Sequence, residues 1–215
     1  MAQRRNQRAL AVIRALRSRQ RRLNQQIEIL CQDMVAAHGQ FARKLARLTF
    51  VAGFYETLLG CGTLETLLDK AAQSICSRIP DAGVAVFLLE KGGFDIHIAA
   101  APQGAPAVGR DELQQWFTAD TAAAVALAGR VCSANRLLSL GMQAPPGVLK
   151  LVSLSAVPLG VLGCAVGFVL VWRSAENPIR PEQMETLAAA AAGLRAAVLA
   201  HRSAAADLKP KCLPC

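Results

Sequence analysis

Apolar positions follow two different rhythms in this chain. Over roughly the first sixty residues they return at alternating intervals of three and four, as on one face of a helix. Further on they collect into short runs punctuated by Gly and Pro. In the first region Ile13, Gln20, Ile27, Met34 and Phe41 occupy the a positions of a heptad, and Leu16, Leu23, Leu30 and Ala37 the d positions. Ile at a with Leu at d favours a parallel two-stranded coil, and the polar Gln20 at an a position can fix its register. After Phe41 the spacing slips by one and resumes through Leu45, Leu48, Ala52, Tyr55 and Leu59, a stutter that relaxes the supercoil locally. With no proline before Pro80, one helix is expected from about residue 6 to 60, roughly 80 Å at 1.5 Å per residue. A helix this polar needs its stripe covered, so dimerisation is the expectation. Positions e and g (Arg17, Arg19, Asn24, Gln26, Cys31) offer few complementary pairs for choosing a partner.

The longest apolar run is Leu151 to Trp172, without a charge between Lys150 and Arg173. Its length suits a membrane span. Pro158, Gly160 and Gly163 in its middle, between stretches rich in β-branched residues, instead predict two buried strands joined by a tight turn. Upstream, Thr63 is placed to cap a helix whose Leu64, Leu67, Leu68, Ala71, Ile75 and Ile79 share a face, and Pro80-Asp81 stops it. Gly83–Leu89 reads as a buried strand, and Phe94–Ile98 alternates, leaving Asp95 and His97 on a polar face where His97 reads as an ordinary exposed histidine. Ala101–Gly109 reads as a loop and 110–129 as one or two short helices carrying Trp116 and Phe117. Arg136–Leu140 is expected as a short strand and 141–147 as a loop. Pro181 opens a last helix, with Glu182 and Glu185 near the positive end of its dipole and Met184, Leu187, Ala191, Leu194 and Val198 on one face. This order predicts an α+β fold, an antiparallel sheet with helices over its faces.

Charge separates the same two regions. Residues 1–50 hold 11 Lys/Arg against 2 Asp/Glu, and the remainder holds 13 against 13, so the net +9 belongs to the N-terminal arm. Arg4, Arg5, Arg8, Arg14 and Arg17 lead a cluster suited to nucleic acid, an anionic surface or an acidic partner; the plainer reading is a solvated, solubilising face. Seven cysteines without a pattern, and no secretory signal, fit small buried hydrophobes in a reducing, cytoplasmic setting. Cys212 and Cys215 form one Cys-x-x-Cys, half of a zinc site that the two chains of a dimer could complete; the plainer reading is a disordered tail with incidental thiols, and no metal or cofactor is expected.

In their order and spacing the globular stretches resemble GAF domains, the small-molecule-sensing modules of bacterial signalling proteins. Leu64–Ile75 resembles that family's first domain helix and Val84–Leu89 its first strand. Ala128–Arg136 resembles the turn before its middle strand. Ser155–Leu159 with Gly163–Val171 resembles its Val-Pro-Leu hairpin, and Pro181–Leu187 its closing helix. The resemblance implies a six-stranded antiparallel sheet, dimerisation through the first and last helices, and a pocket between sheet and crossover helices, here expected near Phe87, Trp116, Phe117 and Cys132. The Asn-Lys…Phe…Asp-Glu signature of cyclic-nucleotide-binding members is absent, and no Cys-His pair stands where a tetrapyrrole would attach. Cys132 alone is poorly suited to the clustered-thiol chemistry of the family's methionine-sulfoxide reductases.

The resulting expectation is a basic coiled-coil arm over 1–44, a GAF-like domain over 45–206 and a flexible tail over 207–215. It is a non-enzymatic regulatory module with no catalytic residue and no membrane span. A parallel homodimer would form through Leu16, Leu23, Ile27, Leu30, Met34, Phe41, Leu45, Leu48, Met184, Leu187 and Leu194. It would sense a small ligand or a signalling protein and relay the change through the coil. The alternative is a structural adaptor with a closed pocket, recruiting acidic partners or nucleic acid by its arm.

Overall fold

The computed structural model describes residues 2–99, 108–160 and 163–207, with only the helical backbone described at 2–15 and 205–207. The loop expected over 101–109 therefore lies outside the described residues except for its last two positions, and so does the Cys212/Cys215 pair. The chain divides into two compact units, Met1–Thr49 and Phe50–Cys215. Helix α1 (Ala2–Leu59) supplies all of the first unit and the opening of the second.

Within the first unit the predicted stripe carries no cover. Leu16, Leu23, Ile27, Leu30, Met34, Phe41, Leu45 and Leu48 are each about half to two-thirds exposed, between 48% and 66%. Ile29 and Val35, off the stripe, are exposed as well.

The second unit is a five-stranded antiparallel sheet among the described residues, in the order β2-β1-β5-β4-β3, with helices on both faces. Helix α2 (Leu64–Arg78) starts where Thr63 caps it: the Thr63 hydroxyl accepts the Thr66 N–H, and the Thr66 hydroxyl in turn accepts the Thr63 N–H. Strands β1 (Gly83–Glu90) and β2 (Gly93–Ile98) form the first hairpin, and β4 (Val152–Pro158) and β5 (Gly167–Ser174) the second, with β5 paired to β1 at the centre. Between the hairpins lie α3 (Arg110–Trp116), α4 (Ala119–Ala126), β3 (Cys132–Ser133), α5 (Ala134–Ser139) and α6 (Pro146–Leu151); α7 (Pro181–Asp207) closes the domain.

The apolar strands divide by parity between two cores. Val84, Val86, Leu88, Val157, Val169 and Val171 face the end of α1, α2 and α7. Ala85, Phe87, Leu154, Ala156, Phe168 and Leu170 face α3, α4 and α5. Alternate side chains of one strand point to opposite faces, so a strand buried on both sides reads as a continuous apolar run. Close approaches fix two of these contacts. A Cβ on Gly83 would stand 2.1 Å from the Trp172 ring, and one on Gly193 in α7 would stand 2.1 Å from the ring of Tyr55. The Tyr55 hydroxyl donates to the Ala189 carbonyl at 3.3 Å along the same contact.

Several expectations are corrected. Arg136–Leu140 belongs to helix α5 rather than a strand. Leu137 is fully buried while Leu138 beside it is 41% exposed, and the preceding strand is the two-residue β3. The 141–147 loop gives way to α6, which takes Pro146 in its first turn and carries Leu151, the first residue of the apolar run, into a position 68% exposed. The second hairpin is not closed by a tight turn: β4 ends at Pro158 and β5 begins at Gly167, eight positions of chain lying between them. A sixth strand is not present among the described residues. Near the end of α1 the buried face is Phe54 and Leu58, while Leu59 of the predicted stripe is 86% exposed. His97 is half-buried, with Nε2 2.9 Å from the Asp69 carboxylate on α2.

No helix among the described residues is long and apolar enough to cross a membrane. Among the described residues, the run that matched a span in length holds the end of α6, all of β4 and most of β5.

Candidate functional site

The residues expected at a pocket meet on one side of the sheet. Phe87 on β1, Trp116 at the end of α3, Phe117 in the α3–α4 break and Cys132 on β3 are all buried, at 0–3% exposure, in the core facing α3–α5. The break that delivers Phe117 is chemically defined. Phe117 is extended, and the next residue, Thr118, caps α4 by accepting the Thr121 N–H at 3.2 Å. The rings then fill their own space. Phe87 stacks on Phe168 with centroids 4.4 Å apart, Phe117 meets Phe87 edge-on at 5.1 Å and Phe168 at 5.3 Å, and Phe94 closes on Phe87 at 5.5 Å. These are ordinary aromatic packing distances.

Cys132 is held in this core with its thiol donating weakly to the Arg130 carbonyl at 3.5 Å. Burial pushes its pKa above the ordinary value of 9.0, and the positive charges of Arg136 and Arg130 pull it partly back. A thiol both buried and held protonated is a poor nucleophile. Cys76 is likewise raised, chiefly by burial. Among the described residues no three His, Cys, Asp or Glu side chains group closely enough to hold a metal.

The open space lies on the other side of the sheet, at its β3 edge. A groove of about 700 Å³ runs between β3–β4, the start of α5 and the first turns of α7. Arg130 and Arg136 flank it, Ser133, Ser153 and Ser155 line it with hydroxyls, and Ile179 and Met184 give it an apolar wall. Glu185 also reaches it. Sequence reading missed this site because its parts come from three separate segments, 130–136, 153–155 and 179–185, and Arg136 reads as part of a strand. The available signal was the pair Gly129-Arg130 and Asn135-Arg136 in an otherwise charge-balanced domain.

The interface residues separate into two groups. Those of α1 (Leu16 to Leu48) are exposed, as described. Met184, Leu187 and Leu194 are 5%, 4% and 1% exposed inside their own domain's core, so they are withdrawn from the expected dimer surface: reaching a second copy would empty the core. Of the basic arm, Arg17 is exposed and shares a face of α1 with Ser18, Arg21, Arg22 and Gln25; the side chains of Arg4, Arg5, Arg8 and Arg14 lie outside the described residues.

Compared with known proteins, the fold is familiar although the sequence is not. The GAF domain of a phosphoenolpyruvate-protein phosphotransferase from Coxiella burnetii superposes with a TM-score of 0.55 at 15% identity, over 74% of this chain and 96% of that one. This is a GAF-like domain. The GAF domain of the Acinetobacter phosphoenolpyruvate-protein phosphotransferase gives 0.53 at 12% identity, over 76% of this chain and 98% of that one. The chromophore-binding domain of a bacteriophytochrome from R. palustris gives 0.52 at 13%, over 74% of this chain and 62% of its own. No family model matches the sequence, and no curated protein sequence does. The GAF-like comparison therefore rests on architecture: a central antiparallel sheet, a first and a last helix on one face and short crossover helices on the other.

Proposed function

We propose that the protein is a non-catalytic regulatory module acting as a parallel homodimer, in which the GAF-like domain responds to a small ligand or a signalling partner and α1 carries the response. The observation behind this reading is the uncovered stripe of α1, eight large apolar side chains at heptad spacing with no partner in their own unit. Burying a large apolar side chain contributes about 1.5–3 kcal/mol. Eight from each chain, each already partly covered, outweigh a cost of association of about 4–15 kcal/mol. Monomeric soluble proteins rarely leave a continuous stripe of this size in water. Domains with this architecture occur in a phosphotransferase and in a bacteriophytochrome, which supports a regulatory role. The spacing step between Phe41 and Leu45 is where the coil can change between two packings, the bistable element a relay requires.

Sedimentation equilibrium of the full chain tests the reading. A dimer at micromolar concentration is expected, and a monomer at all accessible concentrations contradicts it. A second reading has one observation in its favour. The stacked Phe87, Phe117 and Phe168 occupy the space between sheet and crossover helices, as in a scaffold whose pocket is closed. In that case the dimer forms, and the basic face of Arg17, Arg21 and Arg22 does the recruiting. A dimer whose coil packing stays unchanged with every bound partner, read as interspin distances at Gln25, favours the scaffold.

A further inference from the structure

Two arginines of the GAF-like domain, Arg130 and Arg136, line the same groove. Arg110 pairs with Asp95, and Arg173 with Asp81 at 3.6 Å. Arg130 and Arg136 form no ion pair among the described residues, and both flank the groove at the β3 edge. Their backbones are anchored. Between them Cys132 is fully buried and paired with Ala156 of β4, and Leu137, next to Arg136, is fully buried too. Gly129, in the left-handed region at φ +67°, turns the chain into this segment. The two arginines thus rise from fixed points on either side of a two-residue strand, and both line the groove.

Register adds a donor to the groove floor. Leu159 N–H donates to the Gly167 carbonyl and Ala175 N–H to the Leu151 carbonyl, and the β4–β5 pairing is continuous between them. Odd-numbered residues of β4 therefore direct their peptide groups to β5 and even-numbered ones away from it. Ala156 uses that direction to pair with Cys132. Leu154 points the same way, past the last pair at Ser133–Ser155, and lines the groove. Pro181 at the first position of the 27-residue α7 sets the positive end of that helix dipole on the opposite wall. Gln183 and Met184 already donate their N–H groups to the Arg180 carbonyl, so these two are not available to a ligand. Glu185 is the one acidic side chain on the lining, against two arginines.

We propose that this groove binds a small organic anion, its carboxylate or phosphate head between Arg130 and Arg136 and a short apolar body along Ile179 and Met184. Paired guanidinium groups present flat forks of N–H donors matched to either head group. A volume of about 700 Å³ falls in the range of small-molecule sites. The site lies on the face of the sheet opposite the aromatic cluster, so it is compatible with that cluster remaining packed. It depends on the regulatory reading for its purpose but not for its chemistry.

Hydrogen exchange read by mass spectrometry on the full chain tests it, with phenyl phosphate and phenylacetate as probes and benzyl alcohol as the uncharged control. Either acid is expected to slow exchange in segments 130–136 and 153–155 in a saturable way, and the stronger of the two identifies the head group. Arg130→Ala with Arg136→Ala is expected to weaken binding by about tenfold per arginine, and the double lysine variant to retain part of it. Should the double alanine variant fold poorly, Ser155→Asp places a repelling charge on the groove wall and is expected to abolish the protection. Equal protection by benzyl alcohol overturns the proposal, as does protection confined to the arginines of α1 or none at millimolar probe. None of these outcomes bears on subunit number, so failure here is separable from failure of the dimer.

Discussion

Helices α1 and α7 carry nearly the same pattern and meet opposite fates. In both, large apolar residues recur every three or four positions. In α7 Met184, Leu187, Leu194 and Val198 are all but fully buried against the sheet, α2 and the end of α1. In the first unit Leu23, Ile27 and Leu30 remain 50–66% exposed. Periodicity identifies a face that needs covering; it does not say what covers it. For α7 the cover is local, because Pro181 starts the helix directly after β5 and short connections bring neighbours together. For the first unit, none of the described residues within it covers the stripe, and the proposed cover is a second copy.

The sharpest way to break this contrast is to charge the exposed stripe. Ile27→Asp with Leu30→Asp is expected to dissociate the proposed dimer completely and remove much of the helical signal of the first unit in circular dichroism, since an isolated polar helix is marginal. The melting of the GAF-like domain should hardly change. A domain that unfolds along with the coil would mean the two regions share their stability. The reciprocal change, Leu194→Ala, is expected to cost the domain about 2–5 kcal/mol in denaturant unfolding with subunit number unaltered.

Gly193→Ala makes a finer distinction. Alanine favours helix by about 1 kcal/mol over glycine, yet its Cβ would stand 2.1 Å from the Tyr55 ring. Displacing that ring is expected to outweigh the gain and leave a net loss of about 1–2 kcal/mol. A stabilised variant would show that Tyr55 gives way freely and that this helix contact is loose.

The smallest effect is in pH dependence. Burial raises the pKa of Cys132 in the folded state above 9.0. Its contribution to stability is therefore fully present below the unfolded value and is lost as pH rises through the higher folded one. Unfolding midpoints should fall between about pH 8 and about pH 10, and Cys132→Ala should flatten part of that fall. Cys76, shifted the same way, supplies some of the remainder.

How legible all this was in the sequence differs by element. The cap at Thr63, the Pro181 start, the alternation of Phe94–Ile98 and the folding-back of Leu151–Trp172 could be read because each is a local signal within a few residues. The assignment of β1 and β5 side chains to two faces was not, because Val84–Leu89 and Phe168–Val171 are apolar at every position and parity leaves no trace in composition. Arg136–Leu140 was misread because the stretch Leu137-Leu138-Ser139-Leu140 has no strict period of two or of 3.6, and the strand it was meant to be had ended at Ser133. The second half of α1 was half-read: Leu45 and Leu48 follow the stripe, while Phe54 and Leu58 turn a different face into the domain core. The β3-edge groove joins three separate segments, and no spacing in the sequence announces that.

The central claim, a second copy laid parallel along α1, is most directly tested by disulfide cross-linking of Gln20→Cys. In a parallel, in-register coil the two a-position residues face each other. The account predicts rapid, near-complete formation of a covalent dimer on mild oxidation, beyond that given by the native cysteines. A chain that gains no cross-link from this substitution while remaining dimeric in solution would contradict the parallel arrangement, and one that stays monomeric would contradict the claim itself.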